Sequence, residues 1–118
     1  MLLRIFKNYK FYFFGTILSF LITWHLLDLS HLKLHIPILY VHDEVFYDFV
    51  GKTLVDNPWY QINKFTGAPG FTSLLDFPIS GDNFHLFILK ILVLITRDGI
   101  AAVNLYFILS FPLTTLFS

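Results

Sequence analysis

Between Lys10 and Asp28 the chain runs for seventeen consecutive residues without an aspartate, glutamate, lysine or arginine. At ~1.5 Å of rise per residue, about 20 residues cross a ~30 Å hydrocarbon core, and ~17 is the working minimum. Lys10 can extend the useful length by carrying its ammonium toward headgroups on an apolar stem. Residues 11–29 are therefore expected to form a transmembrane helix. Arg4, Lys7 and Lys10 precede it with no acid among them, which puts residues 1–10 in the cytoplasm. A cleaved signal peptide has the same basic start, but its cleavage site needs small residues after the run. Here Trp24-His25-Leu26-Leu27-Asp28-Leu29-Ser30 follows, and no alanine occurs until Ala68. An uncleaved anchor is the better reading.

A second charge-free run closes the chain. Residues 99–118 match a bilayer span in length, with Asn104 and Pro112 inside it, both tolerated where neighbours satisfy them. The chain stops within this run without a hydrophilic flank, which suggests a piece of a longer polytopic protein. Composition agrees with a membrane setting. Hydrophobic residues reach 56% and charged residues only 14%, against roughly 25% charged in ordinary soluble domains. Eight basic residues balance eight acidic ones with no basic stripe, so nucleic acid is not an expected partner. The absence of cysteine excludes disulfides, thiolate metal sites and thiol nucleophiles.

Between the two runs the character changes. Residues 28–83 carry seven of the eight acids, against Lys33, Lys52 and Lys64, with four of the five prolines and four of the six glycines. That balance fits a loop on the outer face, with turns. One segment of it, residues 43–57, reads as a helix ended by Pro58. Phe46, Phe49, Val50 and Leu54 recur at helical spacing, and Glu44, Asp48, Lys52 and Asp56 follow one another four apart as a polar face. Residues 84–96 are apolar apart from His85 and Lys90, but cover only about 20 Å, too short to cross. They are expected to lie at the interface as an amphipathic helix with Asp82 as N-cap. The expected architecture is all-α: an integral membrane protein with two transmembrane helices joined by a long external loop. The expected location is the cell inner membrane, multi-pass, with the loop periplasmic or extracellular.

Several groups could carry chemistry. Asp43-Glu44, followed by Tyr47 and Asp48, could supply a general base or hold a divalent cation. Acids at a helix N-terminus equally complement its dipole and cap free N–H groups. His25, His31, His35 and His42 cluster nearby; His31 and His35, four apart, would share a face if helical. Interfacial histidines are the simpler explanation. Gly67-Ala68-Pro69-Gly70 lacks the Gly-Lys-Ser/Thr ending of a phosphate-binding loop and reads as a turn. Asp76, Asp82, His85 and Lys90 form a looser polar set. Lys90, among Leu and Ile, asks for a phosphate or carboxylate partner. No G-x-S-x-G elbow appears.

The order of these features resembles the N-terminal part of bacterial GT-C class membrane glycosyltransferases, polytopic enzymes related in architecture to protein mannosyltransferases and aminoarabinose transferases. The matching residues begin with Tyr40-Val41-His42-Asp43-Glu44-Val45-Phe46-Tyr47. They continue through Asn63, Gly67-Ala68-Pro69-Gly70, Leu75-Asp76-Phe77-Pro78 and Gly81-Asp82-Asn83-Phe84-His85. Asn104-Leu105-Tyr106-Phe107 and Phe111-Pro112-Leu113-Thr114 look like the next span. The resemblance implies that Asp43 deprotonates an acceptor hydroxyl, with Glu44 as supporting carboxylate. It implies a polyprenyl-phosphate sugar as donor and inversion at the anomeric carbon. Tyr47, Asp76, His85 and Lys90 are the corresponding candidates for substrate contact. His42 departs from the pattern, standing where many relatives have glycine. A lipid-phosphate donor also needs a cavity walled by many helices, so two spans alone would not make a competent enzyme. The competing expectations are a small two-span protein acting through partner helices, or a non-catalytic export component.

Overall fold

The computed structural model describes residues 2–38, 41, 43–65, 70, 72–73 and 83–118. It is all-helical apart from one short ladder. The described helices are α1 (Leu2–Leu26), α2 (Asp43–Asp56), α3 (Asn83–Thr96) and α4 (Gly99–Phe117). Strand β1 (Ile62–Asn63) pairs antiparallel with β2 (Thr72–Ser73), Ile62 opposite Ser73 and Asn63 opposite Thr72. The external segment was expected to hold turns and helices, so this ladder is an addition. The chain divides into two compact units: Met1–Lys33 with Phe107–Ser118, and Leu34–Tyr106.

In the first unit, α1 starts at Leu2, well before residue 11, and runs for 25 residues. It stops short of residue 29 because Asp28 adopts a left-handed conformation (φ 46°). The Leu29 N–H then donates back to the Trp24 carbonyl at 3.1 Å, closing the last turn. Large apolar side chains stand exposed around α1, among them Phe11, Phe13, Phe14, Leu21 and Ile22. Hydroxyls within the helices are satisfied locally: Thr16 donates to the Tyr12 carbonyl at 2.8 Å and Thr23 to the Ser19 carbonyl at 2.9 Å. On α4, Thr114 donates likewise to the Ser110 carbonyl at 2.7 Å. Such back-bonding satisfies these three hydroxyls without water. One described helix, Gly99–Phe117, is long and apolar enough to cross a membrane, and 39% of it is buried within the molecule. In α1, Lys10, Thr16, Ser19, Thr23 and His25 dilute the apolar run.

In the second unit, α2 packs on α3 around Val50, Leu54, Leu86, Leu89, Leu92 and Val93, joined by Ala102 and Val103 of α4. The face that α2 buries is only partly the one its polarity predicts: Val50 and Leu54 are buried and Lys52 and Asp56 exposed, as expected. Asp48 is 6% exposed, whereas Phe46 and Phe49 are 43% and 45% exposed. The cause is a close crossing of backbones. A Cβ on Gly51 would sit 2.7 Å from the Gly99 carbonyl oxygen, so only glycine permits this approach. Packing Gly51 inward carries Asp48, one turn earlier, inward as well. The far end of α2 is held by Lys90 of α3, whose Nζ donates to the Leu54 carbonyl at 2.7 Å and the Asn57 carbonyl at 2.6 Å. A cation at a helix C-terminus complements both the free carbonyls and the dipole. Asn57 continues the network, accepting the Lys64 N–H at 3.1 Å, while the Asn63 amide donates to Thr53 Oγ1 at 2.7 Å. These bonds tie β1 to the end of α2.

Candidate functional site

Three pieces of the second unit converge on one cavity. The first is the start of α4. Arg97 takes a left-handed conformation (φ 56°) and ends α3, its N–H donating to the Val93 carbonyl at 2.8 Å. Asp98 then caps α4: its Oδ1 accepts the N–H of Ile100 at 2.8 Å and of Ala101 at 3.1 Å. The second piece is α2, which the Gly51–Gly99 crossing brings beside Asp98. The third is the segment 34–38, which has no regular structure of its own. Asn104 of α4, fully buried, fixes it by donating to the carbonyls of Leu34 and Ile36, both at 2.7 Å. The Asn104 Oδ1 also accepts the Ile38 N–H at 3.2 Å. The amide in the middle of an apolar run thus has its partners in backbone.

The resulting cavity of about 530 Å³ is lined by His35, Ile36 and Pro37 from the segment, Val45, Asp48, Phe49 and Lys52 from α2, and Asp98 and Ile100 from α4. Its most unusual group is Asp48. The carboxylate oxygen Oδ1 is buried and has no hydrogen-bond partner among the described residues. Loss of hydration pushes this carboxyl above the ordinary 3.8, and the ammonium of Lys52 pulls part of the way back. Opposite-signed groups therefore line an otherwise apolar hollow, and one of them has an unmet need for a donor.

The residues named from sequence are distributed differently. Asp43 and Glu44 form the first two residues of α2; their side chains lie outside the described part of the structure, as does Asp76 altogether. Tyr47 is half-buried, edge-to-face with Phe46 and packed against the core. His85 is exposed, and its Nδ1 is hydrogen-bonded to the Tyr106 hydroxyl. Lys90 is 2% exposed and engaged by two peptide carbonyls, where a phosphate or carboxylate was expected. Burial holds its ammonium below the ordinary 10.5. None of Tyr47, His85 and Lys90 lines the cavity. His31 and His35 do not share a helical face, because α1 has ended and the chain between them is turn and coil. His31 instead faces Asp28 (Nδ1 to Oδ1, 2.9 Å), which raises its pKa above 6.5. Among the described residues no group of three His, Asp or Glu is arranged to hold a metal ion. Of the cavity's polar residues, His35, Asp48 and Lys52 stood in the sequence as members of other groups, and Asp98 of none. What joined them was the Gly51–Gly99 contact, for which no pattern in the chain gave a signal.

Compared with known proteins, the chain matches no family model, no curated protein and no solved structure.

Proposed function

We propose that this chain is the N-terminal part of a membrane glycosyltransferase that moves a sugar from a polyprenyl-phosphate donor to an acceptor on the outer face. The observation that carries the reading is the anchoring of the helix that Asp43 opens. Lys90 fastens its far end and the Gly51–Gly99 crossing fixes its middle, so its first residue starts from a rigid support. A base needs that rigidity, because misplacement by about 1 Å can cost ~10²-fold in rate. In the proposed step the Asp43 carboxylate takes the proton of the acceptor hydroxyl. The acceptor oxygen attacks the anomeric carbon, and the polyprenyl phosphate leaves with the electron pair of the broken bond. Glu44 orients the acceptor.

The test is Asp43→Asn in the membrane-embedded protein, assayed for sugar transfer. A general base contributes roughly 10²–10⁴-fold to rate, whereas Asp and Asn are near-equal helix caps. Turnover is expected to fall by that range with membrane expression unchanged. Turnover within a few-fold of native would show the carboxylate to be only a cap.

The exposed apolar surface of α1 favours a second reading, a non-catalytic two-span membrane protein that acts through partner helices. Absence of transferase activity in the native protein, with cross-linking of α1 to another membrane helix, would support it.

A further inference from the structure

We propose that the outward face of α3 lies against the acyl chains of a lipid bilayer, just below the headgroups, with Trp59 and Tyr60 anchoring one end of the helix and Arg97 the other. The inference needs no base at Asp43 and stands under either reading of the function. It starts from what α3 shows on each side. Leu86, Leu89, Leu92 and Val93 face the core. On the opposite side Phe84, Ile88, Ile91 and Ile95 recur at helical spacing, one above the other. Phe84 is 69% exposed, Ile91 37% and Ile95 70%, and Leu94 beside them 60%. The exposed polar side chains of the helix, Asn83 and His85, are confined to its first turn. Lys90 turns inward to the carbonyls of Leu54 and Asn57, and Thr96 Oγ1 donates to the Leu92 carbonyl at 2.9 Å. Beyond the first turn no side chain of α3 asks for water.

What covers this face follows from its chemistry. A protein partner held in one register makes about one hydrogen bond per 100–200 Å², and the stripe offers no side-chain donor or acceptor. Packing against another membrane helix favours small residues that let backbones approach, and Phe, Ile and Leu stand here instead. Fluid acyl chains require neither a register nor small side chains. The two ends of the stripe fit the same occupant. Trp59, 42% exposed, and Tyr60 stand beside it, their ring centroids 6.0 and 5.9 Å from that of Phe87. Rings with an apolar body and a polar edge collect at headgroup depth. At the other end Arg97 is exposed. A guanidinium there complements the charge of lipid phosphate while its stem lies along apolar surface. With 14 residues α3 is too short to cross a bilayer, so both anchored ends belong to one leaflet.

The test places nitroxide labels on the full chain, which has no cysteine of its own, in phosphatidylcholine vesicles. Ile91→Cys and Ile95→Cys carry the label on the stripe, and Lys64→Cys carries it at an exposed polar position. Relaxation by oxygen, which concentrates among acyl chains, is compared with relaxation by a water-soluble nickel chelate. Oxygen is expected to exceed nickel several-fold at Ile91 and Ile95, with the opposite order at Lys64. Nickel exceeding oxygen on the stripe would put that face in water. Little relaxation by either agent would put a protein partner or a second copy over it, and the same ratio at all three sites would leave the stripe undistinguished. Each of these outcomes overturns the proposal. The anchor is read from Trp59 in the Trp24→Phe variant, since these are the chain's two tryptophans. Quenching by lipid brominated near the headgroup is expected to exceed quenching by lipid brominated near the terminal methyl. Should a labelled variant fail to fold by circular dichroism, this measurement decides, because it leaves the stripe intact. No quenching by either lipid, or the reverse order, contradicts the proposal.

Discussion

Asp48 carries a pH dependence whose sign follows from its surroundings. Its folded pKa lies above the ordinary 3.8 because burial disfavours the charged form. Below 3.8 the carboxyl is protonated in both folded and unfolded chains, and its contribution to stability is fully present. As pH rises, the unfolded chain loses its proton first, and stability falls until pH has passed the raised folded value. Asp48→Asn removes that slope. Urea unfolding followed by circular dichroism is expected to show the variant gaining on native protein across that window, with the gap shrinking at lower pH. A gap that is constant with pH would mean that Asp48 is not titrating in the folded state. Lys90 presents the opposite case, since its value lies in bonds made. Lys90→Met relieves the burial of an ammonium but leaves the carbonyls of Leu54 and Asn57 buried without their donor. Orphaned groups dominate such exchanges, so a net loss of about 1–3 kcal/mol is expected from the same unfolding measurement. A neutral result would place those carbonyls in contact with water.

At the scale of elements, α2 shows what pattern reveals and what it hides. Helical spacing of Val50 and Leu54 pointed to a helix, and both are in the core. Phe46 and Phe49 shared that spacing yet stand exposed, while Asp48 of the polar series is buried. Side-chain polarity predicts which face seeks water, but here backbone approach decides the rotation. A Cβ on Gly99 would lie 2.3 Å from the Gly51 carbonyl carbon and 2.4 Å from its oxygen, so the crossing depends on both glycines. Gly99→Ala is expected to destabilise by about 1–3 kcal/mol, the usual cost of overpacking. Gly51→Ala strikes the same contact, so the double variant should cost less than the sum of the singles. Additive losses would mean that the two glycines act separately. The Asn104 staple was equally hidden: its presence in an apolar run was legible, its partners in residues 34–38 were not. Contacts that distant along the chain leave no local periodicity.

For the whole molecule, the sequence offers two charge-free runs, and of the described helices one, Gly99–Phe117, qualifies by length and apolarity as a membrane span. That helix alone meets the length and apolarity of a span; the proposed orientation is argued from Arg4, Lys7 and Lys10 and from the acids of residues 28–83. The base proposed at Asp43 requires that segment to face the acceptor side. The native chain has no cysteine, so Lys64→Cys, at an exposed position after β1, introduces a single reporter thiol. In intact cells an impermeant maleimide is expected to label it to the same extent as after lysis. Labelling that appears only once the cells are lysed would put residues 30–83 in the cytoplasm and contradict the account.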